Sequence, residues 1–204
     1  NDDGHKEIGV KRGNSWYLDY NGNGAYDGCG TTPTTDRCYT FGLAGDLPVA
    51  GDWNATGPDK IGVFRAGKWY LDRSGSGSWD GCATDSCFAF GLASDKPVAG
   101  DWSGTGPDKI GVFRSGTWYL DYSGNSSWSG CGTTSTTDRC YTFGLAGDAP
   151  VAGDWNADGV AGIGTKTGNS WAIDANENGV PNSCTTDSCI TFGLPTDIPV
   201  AGNW

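Results

Sequence analysis

The chain has 204 residues, with 24 acidic and 13 basic side chains and a formal net charge of −11 at pH 7. This acidic balance disfavours a nucleic-acid partner, because phosphate binding needs clustered lysines and arginines, and no apolar run is long enough to span a membrane. Glycine is more than twice as frequent as the roughly 7 % of an average protein. Short β-branched and aromatic segments alternate with Gly, Asn, Asp and Ser, which predicts strands and turns without a sustained helix.

Four similar units follow one another along the chain, and each ends in the phrase PVAG-[DN]-W. The units span residues 1–53, 54–102, 103–155 and 156–204, and we expect them to form a single domain. Each unit carries an Ile-Gly segment, a Trp-rich segment, two cysteines and an FGL motif. A period near 50 residues is typical of propellers, solenoids and arrays.

The second unit predicts four short strands joined by tight turns, at 60–65, 68–73, 87–91 and 97–102. Four such strands in sequence form an antiparallel propeller blade. The sequence therefore predicts an all-β, four-bladed β-propeller with four-stranded antiparallel blades.

One stretch of the chain, FGLASDKPVAGDWSGTGPDKIGVFR, resembles the FG-GAP repeat of integrin-α-type β-propellers, and the resemblance extends over all four units. It implies that the PVAG strand opens a blade from the inside and that the next three strands complete it. The C-terminal strand, 199–204, would then pair with the N-terminal unit and close the ring. The alternative is that this strand is donated to a neighbouring molecule, which would produce a head-to-tail filament.

The eight cysteines lie in four local pairs, one in each unit. Four within-repeat disulfides are the simplest solution, whereas a zinc site would need CxxC spacing or histidines, and the chain has the single histidine His5. Disulfides predict a secreted, extracellular or cell-surface protein in its mature form. The predicted pairs are Cys29 with Cys38, Cys82 with Cys87, Cys131 with Cys140, and Cys184 with Cys189.

The loop that joins the third and fourth units is the strongest candidate for a calcium site. FG-GAP loops bind calcium through oxygens at alternate positions, and Asp154, Asn156 and Asp158 match the first three of these positions. Gly162 stands where the last aspartate of that pattern is expected. Calcium is therefore a possible cofactor rather than a certain one.

The corresponding loops of the second and third units place Lys60 and Lys109 at that last position. An ammonium group could neutralise the same carboxylates that a calcium ion would bridge. The loops could thus be held by hydrogen bonds and lysine instead of metal. If the chain ends meet, a further candidate is the junction of Asn203, Asn1, Asp3 and Glu7.

Three aromatic residues lie in the loop before the first cysteine of a unit: Tyr26, Trp79 and Trp128. Beside a polar neighbour such as Asp27 or Asp80, each ring could stack on the face of a sugar. The alternative is that each ring covers its own disulfide.

Asn54 and Asn125 begin N-glycosylation sequons, which we expect on accessible loops. A Ser-His-Asp triad would have to use His5, and near-identical units give no unit a distinguishing catalytic constellation. The sequence predicts that the protein is not an enzyme.

Two functional hypotheses follow from these features. The first is a non-enzymatic extracellular structural or adhesive protein, whose partner is itself in a surface fibre or layer. The second is a lectin-like module that binds carbohydrate or another cell-surface ligand at several equivalent loops.

Overall fold

A computed structural model describes residues 8–199 and 201. This part of the chain contains fifteen β-strands and no helix. Blade one contains β1 (Gly9–Arg12), β2 (Ser15–Leu18) and β3 (Arg37–Thr40); blade two contains β4 (Leu47–Gly51), β5 (Lys60–Arg65), β6 (Lys68–Leu71) and β7 (Ser86–Ala89). Blade three contains β8 (Lys96–Gly100), β9 (Lys109–Arg114), β10 (Thr117–Leu120) and β11 (Arg139–Thr142); blade four contains β12 (Ala149–Gly153), β13 (Gly162–Thr167), β14 (Ser170–Ile173) and β15 (Ser188–Thr191).

The strands form a four-bladed β-propeller of antiparallel sheets, which confirms the predicted fold class. In blades two, three and four the strands are hydrogen-bonded in chain order, so each PVAG strand belongs to the blade that follows it. The inner strand β8 packs beside both β4 and β12. Three strands of blade one are described, and its predicted fourth strand, 199–204, falls largely outside the described residues.

The predicted strands of the second unit are correct in number and order, but three of them end two residues earlier than expected, at Leu71, Ala89 and Gly100. β6 ends at Leu71 because the next residue, Asp72, turns the chain: its carboxylate accepts the backbone N–H groups of Ser76 at 3.0 Å and of Gly77 at 2.7 Å. β8 similarly ends at Gly100 rather than at residue 102. These local side-chain bonds compete with continuation of the sheet.

The second strand of each complete blade is buried on both faces, because successive blades pack face to face. In β5, the residues from Ile61 to Phe64 are all buried. Gly62 has no side chain, and a Cβ there would lie 2.7 Å from Leu71 Cδ2. Glycine at this position therefore lets the larger neighbouring side chain fill the interior.

One packing arrangement recurs where two blades meet, and we call it the blade junction. At the first junction, Trp16 and Phe41 of blade one pack against Ile61 and Val63 of blade two, and all four are at most 5 % exposed. The Trp16 indole N–H also donates to the Phe41 carbonyl at 3.0 Å. Burial of each such side chain stabilises the fold by about 1.5–3 kcal/mol. The equivalent residues are Trp69, Phe90, Ile110 and Val112 at the second junction, and Trp118, Phe143, Ile163 and Thr165 at the third.

All four predicted disulfides are confirmed, and each joins a loop to the last strand of its own blade. Their Cα–Cα distances are 5.2–5.3 Å, within the normal range for a disulfide. Each disulfide thus cross-links a single blade, while neighbouring blades are held to one another by packing.

Candidate functional site

Blade four carries a loop of exposed acidic residues directly after β12. The Asp154 carboxylate accepts the backbone N–H groups of Asp158 at 3.1 Å and of Gly159 at 2.9 Å. The Asn156 amide donates to Asp158 Oδ2 at 3.1 Å. The structure therefore brings the three predicted ligand residues together on one turn.

In blades two and three, a lysine closes the corresponding loop. Lys60 Nζ lies 3.0 Å from Asp52 Oδ1, and Lys109 Nζ lies 3.0 Å from Asp101 Oδ1. Burial is the largest single influence and opposes ionisation of both aspartates. The hydrogen bond and charge of the lysine, together with hydrogen bonds from backbone N–H groups, outweigh it, so the pKa of each carboxyl is lowered. In these loops an ammonium group provides the positive charge.

Blade four lacks this lysine and carries an additional carboxylate at the position that faces it. Gly162 stands at the lysine position, while Glu177 replaces the glycines found at 75 and 124 in blades two and three. A Cβ at Gly124 would lie 3.2 Å from Lys109 Cε, so this position faces the lysine. Glu177 keeps the left-handed backbone of the glycine it replaces, with a φ of 57° against 70° at Gly124. The local charge therefore becomes two units more negative than in the neighbouring blade.

The exchange gathers three carboxylates without a basic residue at the lysine position. Asp154, Asp158 and Glu177 each present an oxygen within 4.8 Å of the others. Glu177 Oε1 is buried and has no hydrogen-bond partner. Burial, followed by repulsion from Asp158 and Asp154, raises the pKa of Glu177 to about 7. Carboxylate oxygens are the ligands that a hard cation such as Ca²⁺ prefers, and this cluster could supply part of the six to eight that calcium takes.

Sequence reasoning missed Glu177, because it looked for ligands within one loop, whereas this side chain comes from the loop after β14. A signal was nevertheless present in the repeat. Glutamate appears where two other units have glycine, and glycine appears where the same two units have lysine. This paired change marks two positions that face each other.

A shallow cavity of about 200 Å³ lies beside this cluster, between blades three and four. Its lining combines aromatic and charged side chains, with Glu177 at one edge. Arg139 stacks on the Tyr122 ring, with its guanidinium carbon 3.8 Å from the ring centroid. This contact leaves both side chains engaged with one another at the wall of the cavity.

The two loop tryptophans lie at blade junctions. Trp79 makes edge-on contacts with Phe41 of the preceding blade, at 6.0 Å between ring centroids, and with Tyr70 of its own blade, at 5.4 Å. Trp128 repeats this arrangement with the rings of Phe90 and Tyr119. The tryptophans remain 41 % and 49 % exposed, so each ring has both a packed and a free side.

Tyr26 differs from the tryptophans, being 64 % exposed and packed edge-on against Tyr17 of its own blade. Its hydroxyl donates to Cys29 Sγ at 3.3 Å. The neighbouring Asp27 accepts side-chain hydrogen bonds from Asn21 and Asn23, which lower the pKa of its carboxyl. Asp80 likewise accepts a 2.6 Å bond from Ser76 within its own loop.

Both predicted sequons lie on loops. The Asn54 amide donates to the Arg73 carbonyl at 3.1 Å, and the Asn125 amide donates to Ser129 Oγ at 2.8 Å. Asn125 is exposed, whereas Asn54 is partly buried. Their glycosylation stays a prediction, with Asn125 the more accessible acceptor.

Within residues 8–199, no helix is long and apolar enough to cross a lipid bilayer. The resemblance to FG-GAP repeats stays a prediction, since a propeller shape is compatible with that family without identifying it. Comparison with protein-family models, with curated proteins and with solved structures finds no match to this chain.

Proposed function

We propose that this protein is a non-enzymatic extracellular structural or adhesive protein whose blades form one rigid body. The observation that carries the proposal is the placement of Trp79 and Trp128, the strongest ligand-binding candidates in the sequence. Each ring bridges two blades through edge-on aromatic contacts. Such pairs add about 0.5–1.5 kcal/mol each beyond the burial of area. These side chains therefore contribute to the rigidity of the propeller.

Ion pairs hold the segments that link successive blades. Arg65 makes a bidentate ion pair with Asp46, with both N–O distances at 2.6 Å, and Arg114 repeats it with Asp95. In each case the aspartate lies just before an inner strand, where the chain passes from one blade to the next. Bidentate arginine–carboxylate pairs fix geometry as well as adding energy.

An extracellular location fits the disulfides, because disulfides persist in oxidising compartments and are rare in the cytosol. Each blade carries one disulfide that joins a loop to its last strand, and such a cross-link stabilises a fold mainly by restricting the unfolded chain. This stabilisation supports a structural role outside the cell.

We further propose that a calcium ion binds between Asp154, Asp158 and Glu177. The support is the paired exchange in blade four, which removes a lysine and adds a carboxylate at facing positions. A bound cation would satisfy the buried Glu177 oxygen and offset the repulsion between the three groups. Its role is to hold two loops of one blade together.

The experiment that tests the structural role compares Trp79→Ala and Trp128→Ala with Tyr26→Ala. We expect each tryptophan variant to lose about 1–2 kcal/mol of unfolding free energy, because each ring contacts two aromatic partners. The tyrosine variant should lose less, because its described ring contact is to its own blade. Chemical denaturation measures the difference, and tryptophan variants as stable as the native protein would contradict the proposal.

A lectin-like module is the second candidate, favoured by the free sides of Trp79 and Trp128 and by the exposed ring of Tyr26. Under this hypothesis the same alanine variants lose binding on a glycan array while keeping their stability. Aromatic rings that stack on sugars lie beside polar groups that bind hydroxyls, and here Asp27 and Asp80 are engaged within their own loops. The structural role is therefore preferred.

A further inference from the structure

The outer face of blade four has the residues of a blade junction, and no described residue of the first blade covers them. Phe192 is 72 % exposed, whereas its equivalents Phe41, Phe90 and Phe143 are 2–3 % exposed. Trp171 is partly exposed, whereas the equivalent tryptophans of the other blades are buried. We call Trp171 and Phe192 the fourth-blade face.

Blade one carries the opposite half of the same junction, also uncovered. Ile8 and Val10 are 55 % and 58 % exposed, whereas their equivalents Ile61 and Val63 in blade two are 3 % and 0 % exposed. We call Ile8 and Val10 the first-blade face. The two faces would be complementary, since each internal junction joins one face of either kind.

The glycine that follows each of these phenylalanines indicates the same uncovered surface. A Cβ at Gly91 would meet Val112 of the next blade at 2.8 Å, and a Cβ at Gly144 would meet Thr165 of the next blade at 2.6 Å. At Gly193, the equivalent position in blade four, the nearest atoms belong to Asp197 of its own loop. The close approach of a following blade is absent at this edge of the described structure.

The two partners of a recurring ion pair are likewise separated, one in blade one and the other after the last strand of blade four. Arg12 and Asp197 occupy the positions of the paired Arg65 and Asp46 of blade two. Among the described residues no ion pair joins Arg12 or Asp197 to a partner. The ends therefore present a complementary charge pair beside the complementary apolar faces.

We propose that the fourth-blade face docks onto the first-blade face of a second copy of this chain, head to tail. Within residues 8–199 both faces are uncovered, whereas a ring closed within one chain would bury both. The internal junctions show which surface covers each face, so the contact continues an interface already built three times. Because the two surfaces differ, the contact is heterologous and can propagate.

This inference deepens the proposed structural function by naming its partner. In the assembled junction, Phe192 of one copy packs on Val10 of the next, and Asp197 pairs with Arg12. If self-association fails while the tryptophan variants still lose stability, the structural proposal stands and only the docking inference falls.

The test uses two variants that each block one face, Val10→Asp and Phe192→Asp. Both side chains are more than half exposed in the single chain, so we expect both variants to fold. By light scattering, the native protein should increase in mass with concentration, while each variant alone stays at 21.3 kDa. An equimolar mixture should form a dimer of twice that mass, because one productive pair of faces remains.

The matched control is Leu194→Asp, which adds the same charge two residues from Phe192. Its equivalents Leu43, Leu92 and Leu145 stay exposed at the internal junctions, so it should not disturb docking. Arg12→Asp and Asp197→Arg should each weaken association, and combining them in one chain should restore it. A native protein that stays monomeric at all concentrations, or a mixture that stays monomeric, would overturn the inference.

Discussion

The junction between blades three and four and the outer face of blade four are built from the same residue types, yet they differ in what covers them. Trp118 is fully buried and Phe143 is 2 % exposed, because blade four lies against them. Trp171 and Phe192 occupy the same places one repeat later and face solvent. In a repeat protein, burial is decided by the neighbouring repeat as much as by the residue itself.

The largest expected effect is a loss of unfolding free energy, and it should differ between Trp118→Ala and Trp171→Ala. We expect Trp118→Ala to cost about 3–5 kcal/mol, because it empties a buried site. Trp171→Ala should cost less than half as much in dilute protein, where its outer side is uncovered. Urea denaturation monitored by circular dichroism gives both values, and equal losses would mean that the two sites are equally covered.

A second comparison, between the lysine-closed loop of blade three and the carboxylate cluster of blade four, predicts a calcium effect. Calcium at a hundredfold excess over its dissociation constant should stabilise the fold by about 2.7 kcal/mol. Thermal unfolding measures this shift, which Glu177→Gln and Asp154→Asn should reduce.

The control for the calcium effect is Asp101→Asn, because Lys109 already neutralises that loop. This variant should be destabilised yet keep the full calcium shift. Native protein that unfolds at the same temperature with calcium and with a chelator would contradict the proposed site.

Removal of Lys109 tests how far the loop of blade three depends on its lysine. Lys109→Ala should cost about 1–2 kcal/mol, because it leaves the largely buried Asp101 carboxylate without its charged donor. Lys68→Ala is the matched control, since Lys68 is exposed and we expect almost no change there. Denaturation midpoints of the two variants measure the difference, and similar losses would show that the loop does not depend on its lysine.

A further expected effect is the pH dependence contributed by Glu177 in calcium-free protein. Its pKa is raised from 4.5 to about 7 by folding, so the folded state binds more protons than the unfolded state between these values. Stability should therefore decrease as pH rises through this window and level off above it. A stability curve for Glu177→Gln lacks this component, and identical curves for native protein and variant would show that Glu177 is not perturbed.

The repeat allowed most of the fold to be predicted, because its period, turn residues and cysteine spacing are local features. The four-stranded blades and all four disulfides followed from them, whereas the assignment of each PVAG strand to the following blade came from the resemblance to FG-GAP repeats. The role of Trp79 could not be predicted, because its partner Phe41 is in another unit and its placement depends on how blades pack. Glu177 was missed for the same reason, since it reaches Asp154 from a different loop.

The fourth-blade face and the first-blade face are the two unpaired halves of one blade junction. Electron cryomicroscopy of the assembled native protein is the direct test of this pairing. We expect Phe192 of one copy to contact Val10 of the next, with Asp197 beside Arg12 across the same boundary. A map in which Phe192 contacts Val10 of its own chain, or in which both remain exposed to solvent, would contradict the account.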